Sequence, residues 1–149
     1  MTKTQPLPAF DLDSFTPYRL AVAAKRTSEE LARQYRARFG ISIHDWRVLV
    51  HLAHAGDGVS VRDIEARVAL EKYEVSRTVK RLETAGLVVK SANVTDRRLV
   101  CVALTDKGRD MMAELLPIAR AYQQEIEARL GAAFDGLEAG LDRLLSETE

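Results

Sequence analysis

Glu83-Thr84-Ala85-Gly86-Leu87-Val88-Val89-Lys90, then Asp96-Arg97-Arg98, then Val100-Cys101-Val102-Ala103-Leu104-Thr105-Asp106-Lys107-Gly108 is the stretch that decides how this chain is read. Gly86 closes a helix. Leu87–Lys90 and Leu99–Leu104 are short β-prone runs, and the segment between them carries Asp96, Arg97 and Arg98 near its tip. Thr105 is placed to cap a new helix, because its hydroxyl can accept a backbone N–H two or three residues on. Immediately upstream, Lys72–Thr84 has the period of an amphipathic helix. A basic helix, a strand, a basic turn and a returning strand form a winged helix-turn-helix pattern. The expected fold class is therefore mainly α with a small β-ribbon wing.

The remainder of the chain predicts further helices. Residues 1–15 hold Pro6 and Pro8 without a clear period and read as a loose arm. Thr16 and Pro17 read as N-cap and first helical residue, and Gly40 as the C-cap. Tyr18, Ala21, Val22, Leu31 and Tyr35 form the apolar side of that first helix. Ser42 with Asp45 opens a second helix in the manner of a capping box, with Ile43, Trp46, Leu49, Val50 and Ala53 as its stripe. Ser60 with Asp63 opens a short third, with Ile64 and Val68 inward. After the wing, a helix runs from Thr105 to about Leu130, with a kink expected at Pro117. A last helix carries Phe134, Leu137, Leu141, Leu144 and Leu145. The expected organisation is one unit over 1–149. A winged helix-turn-helix core spans 42–108, and dimerisation helices span 10–40 and 109–149.

Composition narrows the function classes. At 149 residues with 46% hydrophobic and 30% charged content, the chain suits a helical globular domain with long solvated faces. The net charge is zero, but it is unevenly distributed. Lys72, Arg77, Lys80, Arg81, Lys90, Arg97 and Arg98 outweigh the acids among them, whereas the chain beyond Ala121 is acidic. A local basic patch on a neutral protein is a footprint for phosphates. The single cysteine excludes an internal disulfide framework and a Cys-based zinc finger. No apolar run suits a bilayer span and the first residues lack a signal-peptide core, so the expectation is no membrane and a cytoplasmic location. No nucleophile elbow, phosphate-binding loop or zinc-protease motif appears, so the chain reads as no enzyme, and no cofactor is implied.

On a wheel turning about 100° per residue, Val75, Val79 and Leu82 form the buried stripe of the basic helix. Tyr73, Arg77, Lys80 and Thr84 point away from it, flanked by Ser76 and Arg81, with Lys72 in the first turn. Arginine can bind guanine O6 and N7 with two bonds, and lysine and hydroxyl groups reach phosphates or base edges. Taken alone, such a face also suits ordinary solvation; the neighbouring short helix and wing favour DNA. Arg97 and Arg98 suit insertion into a narrow minor groove, with Asp96 orienting an arginine by a charge-assisted bond. The same turn also reads as plain surface charge.

With these residues in place, the chain resembles the multiple antibiotic resistance regulator (MarR) family of winged-helix transcription factors. The resemblance rests on Arg77, Arg81-Leu82-Glu83, Gly86-Leu87-Val88, Asp96-x-Arg98 and Leu104-Thr105-x-x-Gly108, with Gly40-Ile41-Ser42 and Trp46-Arg47-Val48-Leu49 upstream. It implies a homodimer built from terminal helices and a pseudo-palindromic double-stranded operator. It implies Arg98 as the minor-groove arginine with Asp96 as its partner, and repression released by a small aromatic or phenolic effector. Lys90 departs from the arginine common at its position and still suits a phosphate. The apolar stripes on the terminal helices independently call for a mutual interface; an intramolecular bundle is the other solution. The alternative function is a winged-helix protein–protein interaction module without DNA contact, which would present apolar anchors rather than Arg77, Lys80 and Arg98.

The effector residues expected near the junction of the first two helices are Tyr18, Arg19, Arg26, His44, Trp46, Arg47 and His51. Stacking on Trp46 and a charge-assisted bond from an arginine suit an aromatic carboxylate. Equally, Trp46 suits the core, and the arginines suit pairing with Glu29, Glu30 or Asp45. No metal site is expected: one turn either side of His51 stand Arg47 and Ala55. Cys101 reads as a small core residue.

Overall fold

The computed structural model describes residues 4–55, 58–68, 70–92 and 100–146. Its helices are α1 (Thr16–Phe39), α2 (Ile43–Ala55), α3 (Val61–Arg67), α4 (Lys72–Thr84), α5 (Asp106–Leu130) and α6 (Phe134–Ser146). Its strands are β1 (Val59–Ser60), β2 (Val88–Ala92) and β3 (Val100–Leu104). They form one antiparallel sheet in the order β1-β3-β2, with Val59 opposite Val102 and Lys90 also opposite Val102. β1 has two residues, too few to show a period, and the sequence reading missed it.

Local chemistry sets most element ends. Gly40 has φ 68° and sends its N–H to Arg36 O, closing α1 in the left-handed conformation that glycine adopts without steric cost. The Ser42 hydroxyl accepts from Asp45 N at 3.1 Å, and the Asp45 carboxylate accepts from Ser42 N at 2.9 Å, so the box at the start of α2 is reciprocal. Ser60 and Thr105 cap α3 and α5 through bonds from Asp63 N and Gly108 N. At the end of α4, Leu87 N bonds Leu82 O and Gly86 N bonds Glu83 O, both at 3.0 Å, with Leu82 and Leu87 buried against the core. Two orphan carbonyls of the helix are satisfied this way.

The core centres on α2. Val48, Leu49 and Leu52 meet Tyr35 and Ile41, Ile64, Val75, Val79 and Leu82, Val102 of the sheet, and Met112 and Leu115 of α5. The buried face of α2 is thus Asp45, Val48, Leu49 and Leu52; the expected residues Ile43, Trp46, Val50 and Ala53 are only partly covered. Packing of Val48, Leu49 and Leu52 against Ile64, Val75, Val79, Leu82 and Val102 and residues of α5 in the core sets the buried face. Other expectations are corrected. Phe15, not Thr16, is the N-cap residue of α1. The arm contains a short 3-10 turn at Leu12–Ser14, with Phe10 and Phe15 edge-on, ring centroids 5.0 Å apart. As expected, α5 contains Pro117 in its interior.

The C-terminal half of α5 is tied to α1. Tyr122 and Arg129 donate to Glu30, and the Tyr122 bond first, then Arg129, holds the Glu30 carboxyl below the usual carboxylate range. Burial, then the same bond, pushes the Tyr122 phenol up to about 12. The α6 stripe has no such cover among the described residues: Leu137, Leu144 and Leu145 are exposed and no residue of α6 is buried.

Tyr35 illustrates a cost in the core. It is fully buried and its ring lies 4.6 Å from that of Trp46, but its hydroxyl has no hydrogen-bond partner among the described residues. An unpaired buried hydroxyl costs about 1–3 kcal/mol. Tyr35→Phe is therefore expected to raise stability by roughly 1 kcal/mol, read as a higher denaturation midpoint at unchanged slope. A drop in midpoint would show that the hydroxyl has a partner in solution.

Candidate nucleic-acid interface and effector cleft

α4 turns Val75, Thr78, Val79 and Leu82 inward. Tyr73, Ser76, Arg77, Lys80 and Thr84 stand exposed on the other side, with Lys72 beside them in the first turn. Among the described residues, Lys72, Arg77 and Lys80 have no ion-pair partner. Thr84 spends its hydroxyl on Lys80 O at 3.0 Å, the usual backward bond of a helical threonine. Lys72, Ser76 and Lys90 share a groove of about 360 Å³ with Arg62 and Glu65 of α3 and Val100 of β3. Arg62 was missed by the sequence reading, although its place in the first turn after the Ser60 cap was a usable signal. Lys90 lies 3.7 Å from Glu83.

Arg81 behaves differently. Its guanidinium turns to α2 and donates from Nε at 3.1 Å and also from Nη2 to Asp45 Oδ1. Asp45 is buried, so its charge needs this partner. Arg81 therefore ties α4 to α2 while its side chain stays about half exposed on the flank where the sequence placed it. Asp96, Arg97 and Arg98 lie outside the described residues.

Two open clefts flank α1. One, about 620 Å³, lies between α1 and α2 and is lined by Lys25, Ser28, Glu29, Arg33 and Arg36 together with His44 and Arg47. Arg47 Nη2 lies 3.5 Å from Ser28 Oγ. The other, about 560 Å³, collects Tyr18, Arg19, Arg26, Glu30 and Arg129.

A model of the MarR family matches residues 39–99. The HTH-type transcriptional regulator YdgJ of Bacillus subtilis is 30% identical over 99 residues, covering 66% of this chain and 60% of YdgJ. The chain thus spans less than two thirds of that relative's length. A MarR-family transcriptional regulator from Silicibacter pomeroyi superimposes with a TM-score of 0.76 at 29% identity, over 91% of this chain and 88% of that one. Over residues 39–99 the chain is similar to the MarR family. BpsR of Bordetella bronchiseptica, whose DNA binding is regulated by 6-hydroxynicotinic acid, shares the fold at a TM-score of 0.78 and 24% identity, over 95% of this chain and all of BpsR. These relatives and neighbours are transcriptional regulators, not enzymes.

The expected effector residues do not gather in one cleft. His44 and Arg47 line the α1–α2 cleft, whereas Tyr18, Arg19 and Arg26 line the other. Trp46 lines neither and packs on Tyr35. His51 Nδ1 lies 2.7 Å from Arg47 O, a contact within its own helix. Helix α1 separates the two sets, since the lining of each cleft repeats every three to four residues along it and the two repeats are offset onto different faces. Lys25, Arg33 and Arg36 were not anticipated; their spacing puts them on the side of α1 facing α2, which only the packing reveals. Of the acid partners proposed for the arginines, Glu30 is taken by Arg129 and Asp45 by Arg81, while Glu29 lines the α1–α2 cleft. Cys101 is half-buried in the central strand β3. Among the described residues no group of metal-ligating side chains occurs, and no helix is long and apolar enough to cross a membrane.

Proposed function

We propose that this chain is a homodimeric, sequence-specific DNA-binding repressor released by a small aromatic acid or phenol. The observation that carries the reading is the outward face of α4, where Arg77 and Lys80 have no partner among the described residues. Lys72, Tyr73, Ser76, Arg77 and Lys80 meet bases and phosphates in the major groove, with Lys90 and Arg62 on flanking phosphates. Arg97 and Arg98 reach the minor groove, with Asp96 orienting Arg98. An interaction module would offer apolar anchors on that face; a row of cations favours DNA.

The 42–108 core binds DNA, and segments 10–40 and 109–149 join two copies. Exposed Phe10, Phe15, Tyr18, Leu20, Leu137 and Leu144 on those segments support the second part. Such a dimer reads half-sites about one helical turn apart. Lys25, Arg33, Arg36, Arg47 and His44 make the α1–α2 cleft the better place for an acidic effector, which must bind the DNA-incompetent state more tightly to displace DNA.

The test is binding to a duplex enriched from a random-sequence pool. Arg77→Ala should relax sequence preference by about 1–3 kcal/mol, and Lys80→Ala should weaken all sequences alike and lower the salt slope by about one. Arg98→Ala should weaken the enriched duplex strongly. Equal affinity of the Arg77 and Arg98 variants with wild type would end the DNA reading. The effector reading falls if a panel of aromatic acids, 6-hydroxynicotinic acid included, neither raises the melting temperature nor releases the duplex.

A further inference from the structure

His44 lines two cavities at once. It borders the α1–α2 cleft, and it also borders a recess of about 170 Å³ with Glu74, Arg77, Thr78 and Arg81 of α4. Its Nε2 lies 3.7 Å from Glu74 Oε2. Glu74 stands three residues before Arg77, a spacing that makes oppositely charged side chains neighbours on one helix face. The two nonetheless form no ion pair here; the Glu74 carboxylate meets His44 and, at 3.4 Å, the Tyr73 hydroxyl. The other charges facing the recess are already matched, since Arg81 is held by buried Asp45. Arg77 is left without an acid although one stands a turn away.

We propose that His44 is a positioning residue that draws the Glu74 carboxylate away from Arg77, and that an anion bound in the α1–α2 cleft takes over His44 and lets Glu74 neutralise Arg77. The second half rests on the effector reading above; the first does not. An arginine paired with a carboxylate must give up that pair to bind a guanine edge or a phosphate, so DNA affinity falls. The coupling needs no helix movement to begin, because His44 touches both cavities.

A double-mutant cycle on the full chain tests the first half. Binding to the enriched duplex is measured for wild type, His44→Ala, Glu74→Gln and the double variant. Glu74→Gln removes a negative charge near DNA and should strengthen binding in any background. With His44 holding the carboxylate, that gain is expected to be about 2–5-fold larger in the His44→Ala background, as for residues that interact directly. An equal gain in both backgrounds overturns the proposal. A readout without DNA is the Arg77 Nε–H resonance, which should move in His44→Ala and return in the double variant; no movement in His44→Ala also overturns it. The second half is tested with 6-hydroxynicotinic acid and benzoate. Glu74→Gln should still be stabilised by the acid that stabilises wild type, but should release the duplex several-fold less. Release equal to wild type overturns the relay. If neither acid binds wild type, the anion half fails with the effector reading, and the cycle alone decides the role of His44.

Discussion

Gly108→Ala is expected to destabilise the fold by about 3 kcal/mol, the upper part of the range for overpacking a well-filled site. A Cβ on Gly108 would stand 2.2 Å from Leu87 O and 3.2 Å from the Leu104 side chain. The obstacle is backbone, so no rotamer change relieves it. Leu87 O is also held by Thr105 N at 3.0 Å, and Gly86 O accepts from the Thr105 hydroxyl at 2.6 Å. The first turn of α5 thus sits directly on the end of α4 and the start of β2. Moving it would break the Thr105 cap and shift the ribbon relative to α4. In thermal unfolding, this corresponds to a fall of roughly 6–12 °C for a chain of this size. Gly40→Ala is the contrast. There φ is 68° and nothing lies within 4 Å, so only backbone strain of about 1–2 kcal/mol opposes the change. A Gly108→Ala variant as stable as wild type would mean that the α4–α5 junction is looser than described.

Leu141→Glu combined with Leu144→Glu is expected to give a folded monomer with operator affinity reduced roughly 10²–10⁴-fold. That is the usual loss when two linked binding events become separate. Leu144 is 56% exposed, Leu141 is only partly covered, and α6 packs chiefly against the turn Gly131–Ala133 that precedes it. The substitutions therefore remove little packing inside the protomer, and helix content should be retained. Two carboxylates in an apolar interface cannot be desolvated without partners, so the second copy is rejected. Sedimentation and DNA titration check the result together. A variant that stays dimeric, or that binds the enriched duplex as tightly as wild type, would place the interface elsewhere.

The sequence by itself determined most of the capping and turn geometry set by residues three to five apart, though not the buried stripe of α2 or the N-cap of α1. Ser42 with Asp45, Ser60 with Asp63, Thr105 with Gly108 and Gly86 after α4 are short-range hydrogen-bond geometries, and each stands where the residue pattern placed it. The amphipathic period of α4 likewise separated Val75, Val79 and Leu82 from Arg77 and Lys80, because a helix converts spacing into direction. Tertiary structure alone decided the rest. Arg81 meets Asp45 across 36 positions, and Glu30 meets Tyr122 and Arg129 across 92 and 99. Such pairs are set by how helices pack, and no local period announces them. The same limit applies to the effector candidates. Tyr18, Arg19 and Arg26 are separated from His44 and Arg47 because α1 presents one face to α2 and another to α5. Which flank of α1 meets which neighbour follows from burying Tyr35 under Trp46 and tying Glu30 to α5, contacts that exist only once the chain has folded.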